Sequence, residues 1–256
     1  MDPRTTTNPL VRAAGRALGR LNARHPWNHN DHFHGWVVRR LPRRRLRALD
    51  VGCGTGTLVD RLRREVVEVV GLDVDASMAE VTRTRFAGDP AVTVRHDGFL
   101  DLPADGSFDV VTMVASLHHM ELEAALRHAA GVLAPGGRLL VVGLARLGSP
   151  RELAVDLVSS FVNPVVGLVK HPRVAVPGPD DGTDAEDGPA MPVRDARETY
   201  GEVAATARRV LPGARFRQRL FFRYTLEWTR PPVPSSTPSP SGAARGPGGV
   251  VFAPDG

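Results

Sequence analysis

A chain of 256 residues with 42% hydrophobic content buries one good core and little more, which excludes a large multidomain assembly and leaves one domain with appended segments. The formal net charge of +5 and the isoelectric point near 10.4 come almost wholly from arginine, since Lys170 is the only lysine, and in a chain also rich in Gly and Pro this reads as a GC-rich coding habit more than a phosphate-binding surface. Cys53 is the only cysteine, so no disulfide forms within the chain.

The predicted elements alternate strand and helix. Residues 4 to 24 place Leu10, Ala14, Ala17, Leu18 and Leu21 on one helical face, as an amphipathic helix covering a ligand site would, with no need for organelle import. Trp27-Asn28-His29-Asn30-Asp31-His32-Phe33-His34 follows, ahead of a first domain helix expected from Gly35 to Leu41. Four histidines within ten positions, His25 included, raise the question of a metal. No cysteine or second carboxylate–histidine group at ligand spacing accompanies them, so no metal is expected. Arginines at 39, 40, 43, 44, 45 and 47 are not interleaved with aromatic residues as single-strand binders require, and they read as a solvated face beside the first strand. Nucleic acid is not an expected partner.

That strand, 46 to 51, runs into Gly52-Cys53-Gly54-Thr55-Gly56, a turn too tight for side chains, where a ligand can approach the backbone. Cys53 stands where a small packing residue is wanted, not a redox thiol. A helix at 57–64 leads to a strand at 67–73 that delivers Asp73 at its C-terminal end, seventeen positions after Gly56, where a carboxylate can accept both hydrogen bonds of a ribose diol. Ser77 and Glu80 signal a capping box for a helix at 77–86. Strands are expected at 91–95 and 108–114, then a helix at 121–132 with Glu121 and Glu123 in its first turn, stopped by Pro135-Gly136-Gly137 before a strand at 138–144. Leu153, Leu157, Phe161, Val165 and Leu168 follow at helical spacing, with Pro164 as a kink. At 153 to 169 the stretch is too short to span a bilayer and is interrupted by Asp156, Asn163 and Pro164. A mobile Pro-, Gly- and Asp-rich stretch from 171 to 193, a helix at 197–210 and strands at 214–219 and 221–229 complete the domain. The tail from 231 to 256 has a disordered composition.

The glycine spacing is G-x-G-x-G with Thr57 in the third slot, where the dinucleotide fingerprint has G-x-G-x-x-G. LDVGCGTG (49–56) and GLDVDASM (71–78) resemble motifs I and II of the class I S-adenosyl-L-methionine (SAM) dependent methyltransferases. HDGFLDLP (96–103), GSFDVVTMVASLHHM (106–120) and LAPGGRLLVVG (133–143) resemble further pieces in that family's order, in its small-molecule, methyltransferase type 11-like group. The resemblance implies an α/β fold with a seven-stranded, mostly parallel, doubly wound sheet, an antiparallel last strand and a helical N-terminal lid. Residues 1–40 would form the lid segment, 41–230 the SAM-binding domain and 231–256 the tail, with the insertion 145–196 lying over the substrate.

The same resemblance implies roles. Asp50 and the backbone of Gly52, Cys53, Gly54, Thr55 and Gly56 would hold the methionine portion of the cofactor, Asp73 the ribose, and Val74 and Met78 the adenine. Asp97 is expected at the adenine amino group, with the backbone of Gly98 and Phe99 as the alternative, because HDGFLDLP carries one residue more before Leu-Pro than the commonest spacing. Ala115 and Ser116 fall where the methyl group would sit, and His118 or His119 would serve as general base. The lid would add His32 and His34 from one face. No Asn-Pro-Pro-Tyr or Asp-Pro-Pro-Tyr motif follows strand 4, which argues against nucleobase amines and protein glutamine as acceptors. The expectation is a soluble cytoplasmic enzyme that methylates a small, fairly apolar molecule at oxygen, carbon or nitrogen, as tailoring enzymes of secondary metabolism do. An RNA or protein methyltransferase, or a member that binds SAM without transferring methyl, stays open, and a homodimer is compatible with the sequence.

Overall fold

A computed structural model describes residues 29–150 and 196–232, with Glu152, Val155, Ser159, Val162 and Val166, all helical, between them. The expected helix at 4–24, the stretch 171–193 and the tail from 233 onward lie outside the described residues. In chain order the elements are α1 (His29–Val38), β1 (Arg47–Val51), α2 (Thr57–Leu62), β2 (Glu68–Asp73), α3 (Ala76–Arg85), β3 (Val92–His96), β4 (Phe108–Val114), α4 (Leu122–Val132), β5 (Leu133–Gly143), α5 (Tyr200–Val210), β6 (Arg215–Gln218) and β7 (Tyr224–Thr229). Single 3₁₀ turns occur at Phe99–Asp101 and Leu117–His119.

The strands form one seven-stranded sheet in the order β3-β2-β1-β4-β5-β7-β6. From β3 to β5 all neighbours pair parallel, while β7 runs antiparallel to both β5 and β6. The last described strand thus sits inside the sheet and β6 takes the edge. The central strands read as continuous apolar runs because both faces are covered. Leu49, Val70, Val111, Leu139 and Val141 point into one core with α4 and α5. Ala48, Val69, Val110, Leu140 and Val142 point into the other, with α1 and α2.

Some boundaries differ from those expected, each for a local reason. Helix α1 starts at His29, not Gly35, because Phe33, Trp36, Val37 and Leu41 bury together in the second core and carry the histidine cluster into the helix. Asp75 caps α3 in place of the Ser77–Glu80 box. It directly precedes the first helical residue, and its carboxylate accepts from the amides of Ser77 (2.8 Å) and Met78 (3.3 Å). Glu121 stands just outside α4 and caps it, accepting from Glu123 and Ala124. Strand β5 begins before Pro135-Gly136-Gly137, with a register shift against β4 between Phe108 and Val110. Strand β7 begins only at Tyr224, because Phe221 and Phe222 adopt left-handed φ angles of 63° and 59° in the turn before it. Ser149 and Glu152 form an unforeseen reciprocal cap at the start of the insertion. Among the described residues no helix is long and apolar enough to cross a membrane.

Candidate active site

The sheet order reverses between β1 and β4, and in doubly wound sheets the crevice at the C-terminal ends of such strands receives the ligand. Here the loops after β1, β2 and β4 converge. Ser116 Oγ donates to the Val51 carbonyl at 2.6 Å, stitching the ends of β4 and β1 together. Gly52, at φ 73°, lies so close to this stitch that an added Cβ would stand 2.6 Å from Ser116 Cβ. Gly54 is the opposite case: at φ 52°, an added Cβ would meet no described atom within 4 Å, so the turn presents an open backbone face at this position. Ala115 also takes a left-handed φ, 57°, which for a residue with a side chain is strain that the surrounding structure holds in place.

Asp73 ends β2 nearly buried, at 8% exposure. One carboxylate oxygen accepts from the Gly54 amide (2.8 Å), the other from the Asp75 amide (3.0 Å). An ionised carboxylate offers about four acceptor positions, so one on each oxygen stays available, the pair that a ribose diol needs. The Thr82 hydroxyl donates to the Gly54 carbonyl from the other side, so the turn is held in shape by α3 as well as β2. An open face at Gly54 and two spare acceptor positions at Asp73 fit an adenosyl cofactor.

Asp50 lies beneath the turn, fully enclosed, and the Thr112 hydroxyl donates to it at 2.7 Å. Burial is the main cause that pushes its carboxyl up to about 7; the Thr112 hydrogen bond opposes this and the Asp73 charge adds to it. Between the ordinary value, 3.8, and about 7 the folded protein holds a proton that the unfolded chain has released. The stability this contributes is therefore full below pH 3.8 and lost as pH rises through about 7. Thermal melts of wild type and Asp50→Asn are expected to converge at acid pH and to diverge toward pH 8, with wild type falling relative to the variant. Parallel melting curves across that range would show that Asp50 does not ionise on this path. Burial, together with Asp50 and Asp73, also raises the Cys53 thiol to about 12, and the side chain packs in the second core.

The structure spreads the remaining expected residues unevenly. Val74 is 73% exposed beside the crevice, Met78 is buried, and Thr55 is exposed at the turn. The Asp97 carboxylate pairs with Arg95 at 2.7 Å. The Phe99 side chain is buried edge-on against His128, so Phe99 itself could meet a ligand only through its backbone. His118 and His119 form the 3₁₀ turn after β4, their rings 4.0 Å apart. His118 is half-buried, its Nδ1 has no hydrogen-bond partner among the described residues, and His119 is exposed. Burial, then His119 and Arg223, push His118 down to about 4, so its imidazole is neutral at physiological pH. His32 and His34 sit two positions apart on a helix, about 200° around its axis, and so do not share one face. His32 is exposed and packs edge-on against Phe221. His34 is buried near Asp31 and Arg61, and burial lowers it to about 4.

Sequence reasoning missed Thr112, Asn30 and Arg223. Thr112 had a signal, as the one polar side chain in the buried run Val110-Val111-Thr112-Met113. The Arg223–Asn30 pair, 193 positions apart, had none. Four arginines of the basic run are neutralised within the chain: Arg40 by Glu227, Arg44 by Asp109, Arg45 by Glu65 and Arg47 by Glu68. Among the described residues no group of three or more His, Cys, Asp or Glu side chains is placed to hold a metal ion.

Residues 48–137 match a family described as a methyltransferase domain. The fold is that of a SAM-dependent methyltransferase from Aquifex aeolicus, with a TM-score of 0.52 at 15% identity, covering 84% of this chain and 98% of that one. An uncharacterized methyltransferase of Mycobacterium tuberculosis is 30% identical over 211 residues, covering 80% of this chain and 98% of that protein. The chain belongs to the class I SAM-dependent methyltransferases. This methyltransferase is also 35% identical over 124 residues to a ubiquinone biosynthesis O-methyltransferase of Xanthomonas euvesicatoria, a match covering 47% of this chain and 52% of that one.

Proposed function

We propose that this methyltransferase moves the methyl group of SAM to oxygen, carbon or nitrogen of a small, fairly apolar molecule, as a tailoring enzyme of secondary metabolism. The observation that carries the cofactor half of this reading is the glycine turn, open at Gly54 and locked to Asp73. SAM would supply an electrophilic methyl carbon on a sulfonium. The protein's task is then to align an acceptor in line with it and keep water out. The backbone of Gly52 to Gly56, braced from beneath by the enclosed Asp50, would hold the methionine portion, Asp73 the ribose, Val74 and Met78 the adenine, and Asp97 or the backbone at Gly98 and Phe99 the adenine amino group. Ala115 and Ser116 would border the methyl group. His118 would take the acceptor's proton, and the α1 segment with His32 would close over the site.

The small-molecule half rests on two supports. The paired arginines leave little free charge in the basic run for a polyanion, and one partial relative is named for O-methylation in ubiquinone biosynthesis. Isothermal titration with SAM and with NAD, followed by a mass-shift screen of candidate acceptors, tests both halves. Binding of NAD in place of SAM would overturn the cofactor assignment. A true acceptor that proved to be RNA, with affinity falling steeply as salt rises, would overturn the substrate class.

Asp73→Ala is expected to weaken SAM by about 1.5–3 kcal/mol, roughly 10–150-fold. It also leaves the Gly54 and Asp75 amides without their acceptor, so a lower Tm should accompany the loss. Unchanged SAM affinity, with the fold intact by circular dichroism, would take Asp73 out of the site.

A further inference from the structure

Arg223 is a half-buried cation with no described carboxylate to neutralise it. Its Nε and Nη2 donate to Asn30 Oδ1 at 3.3 and 3.1 Å, and Nη1 reaches the Phe222 carbonyl at 3.4 Å. A guanidinium has five N–H groups. With the Nε side taken by the neutral Asn30, the outer Nη1–Nη2 edge keeps two, in the geometry that binds a carboxylate through both oxygens. Burial lowers its pKa, and the only other described group that acts on it is Tyr200, which fits a cation still lacking its counter-charge.

The chain holds Arg223 in this place by a strained turn. Phe221 and Phe222 both take left-handed φ angles, which are rare and strained for aromatic residues. The Phe221 amide donates to Ser159 Oγ at 3.0 Å, which anchors the turn to the helical residues of the insertion. Strain of this kind persists where it positions something. Tyr224, the next residue, pairs with Gly143 at the C-terminal end of β5, so Arg223 stands on the same edge of the sheet as the glycine turn. Three strand spacings separate β7 from β1 in the order β1-β4-β5-β7, about 14 Å. The cofactor reading places SAM over β2 and β1 with its methyl toward β4. Arg223 therefore lies on the acceptor's side, close enough to His118 for its charge to act on that imidazole.

We infer that the methyl acceptor carries a carboxylate, and that the outer edge of the Arg223 guanidinium binds it and orients the acceptor beside His118. This rests on the SAM reading of the crevice. It narrows a fairly apolar molecule to one with an apolar body and a single acidic group, since one cation with one free edge matches a monoanion.

The test uses full-length protein loaded with S-adenosylhomocysteine and titrated with 4-hydroxybenzoate and with its methyl ester, followed by ligand-observed NMR. Wild type should bind the acid about tenfold or more tightly than the ester. R223Q should bring that ratio to about one by weakening the acid alone, and R223K, which keeps the charge but not the fork, should fall between. A merely structural Arg223 would shift acid and ester together. SAM affinity, measured separately, should stay within about twofold in R223Q. No saturable binding of the acid, no preference for it in wild type, or a preference that survives in R223Q overturns the inference. Loss of SAM affinity in R223Q would mean that the carboxylate held is the cofactor's own, which also overturns it. A wild type that binds no SAM removes the cofactor reading and this inference with it, whereas normal SAM binding without acid preference removes this inference alone.

Discussion

Gly54→Val is expected to abolish SAM binding while the protein still folds. The Cβ position at Gly54 meets no described atom within 4 Å, so the new side chain starts into open space among the described residues, and its cost is the left-handed φ of 52°, about 1–2 kcal/mol. The branched side chain would fill the space along which the methionine portion of the cofactor is proposed to pass. Titration calorimetry should detect no SAM binding, and the melting temperature should drop by only several degrees. Gly52→Val is the contrasting case. Its Cβ would overlap Ser116 Cβ at 2.6 Å, separating the ends of β1 and β4, so stability and binding should fall together. A Gly54→Val protein that binds SAM normally would mean that the turn does not face the ligand.

His118→Ala is expected to lower kcat by about 10²–10⁴ with SAM affinity nearly intact. His119→Ala, which removes an exposed ring, should cost about tenfold or less. The structure changes the expected pH profile. An imidazole near its ordinary 6.5 would make the rate rise through that pH, but with His118 held down to about 4 the base form is already complete well below neutrality. The rate of wild type should therefore be flat from about pH 6 upward and fall only in acid. An inflection near 6.5 that disappears in His119→Ala would transfer the role to His119. Near wild-type kcat in both single variants and the double variant would leave neither histidine catalytic, and His32 and His34 would be the next to replace.

The parallel sheet and its cofactor edge were legible because they rest on local signals. Buried strands are continuous apolar runs, their ends are marked by glycine or aspartate, and Gly52 to Gly56 with Asp73 state a turn and an acceptor at a spacing set by one strand–helix–strand unit. The start of α1 was misplaced because a histidine-rich polar stretch carries weak helix propensity, and only burial of Phe33, Trp36 and Val37 against the sheet decides its conformation. The strained turn at Phe221 and Phe222 could not be read at all, since propensity argues against aromatic residues at positive φ and the compensating contact, Ser159 Oγ, is 62 positions away.

The sequence by itself determined the fold class, and with it the glycine turn after β1 and the aspartate ending β2 on which the proposed cofactor site rests, because each depends on neighbours within a few tens of residues. Only the tertiary structure decided the electrostatics. Asp50 is raised and His118 lowered by burial, four arginines of the basic run are paired with carboxylates as distant as Glu227, and an antiparallel strand inserted between β5 and β6 brings Arg223 within range for its charge to act on His118. Charge and desolvation act through space, and a residue's neighbours in space are set by the order in which strands pair.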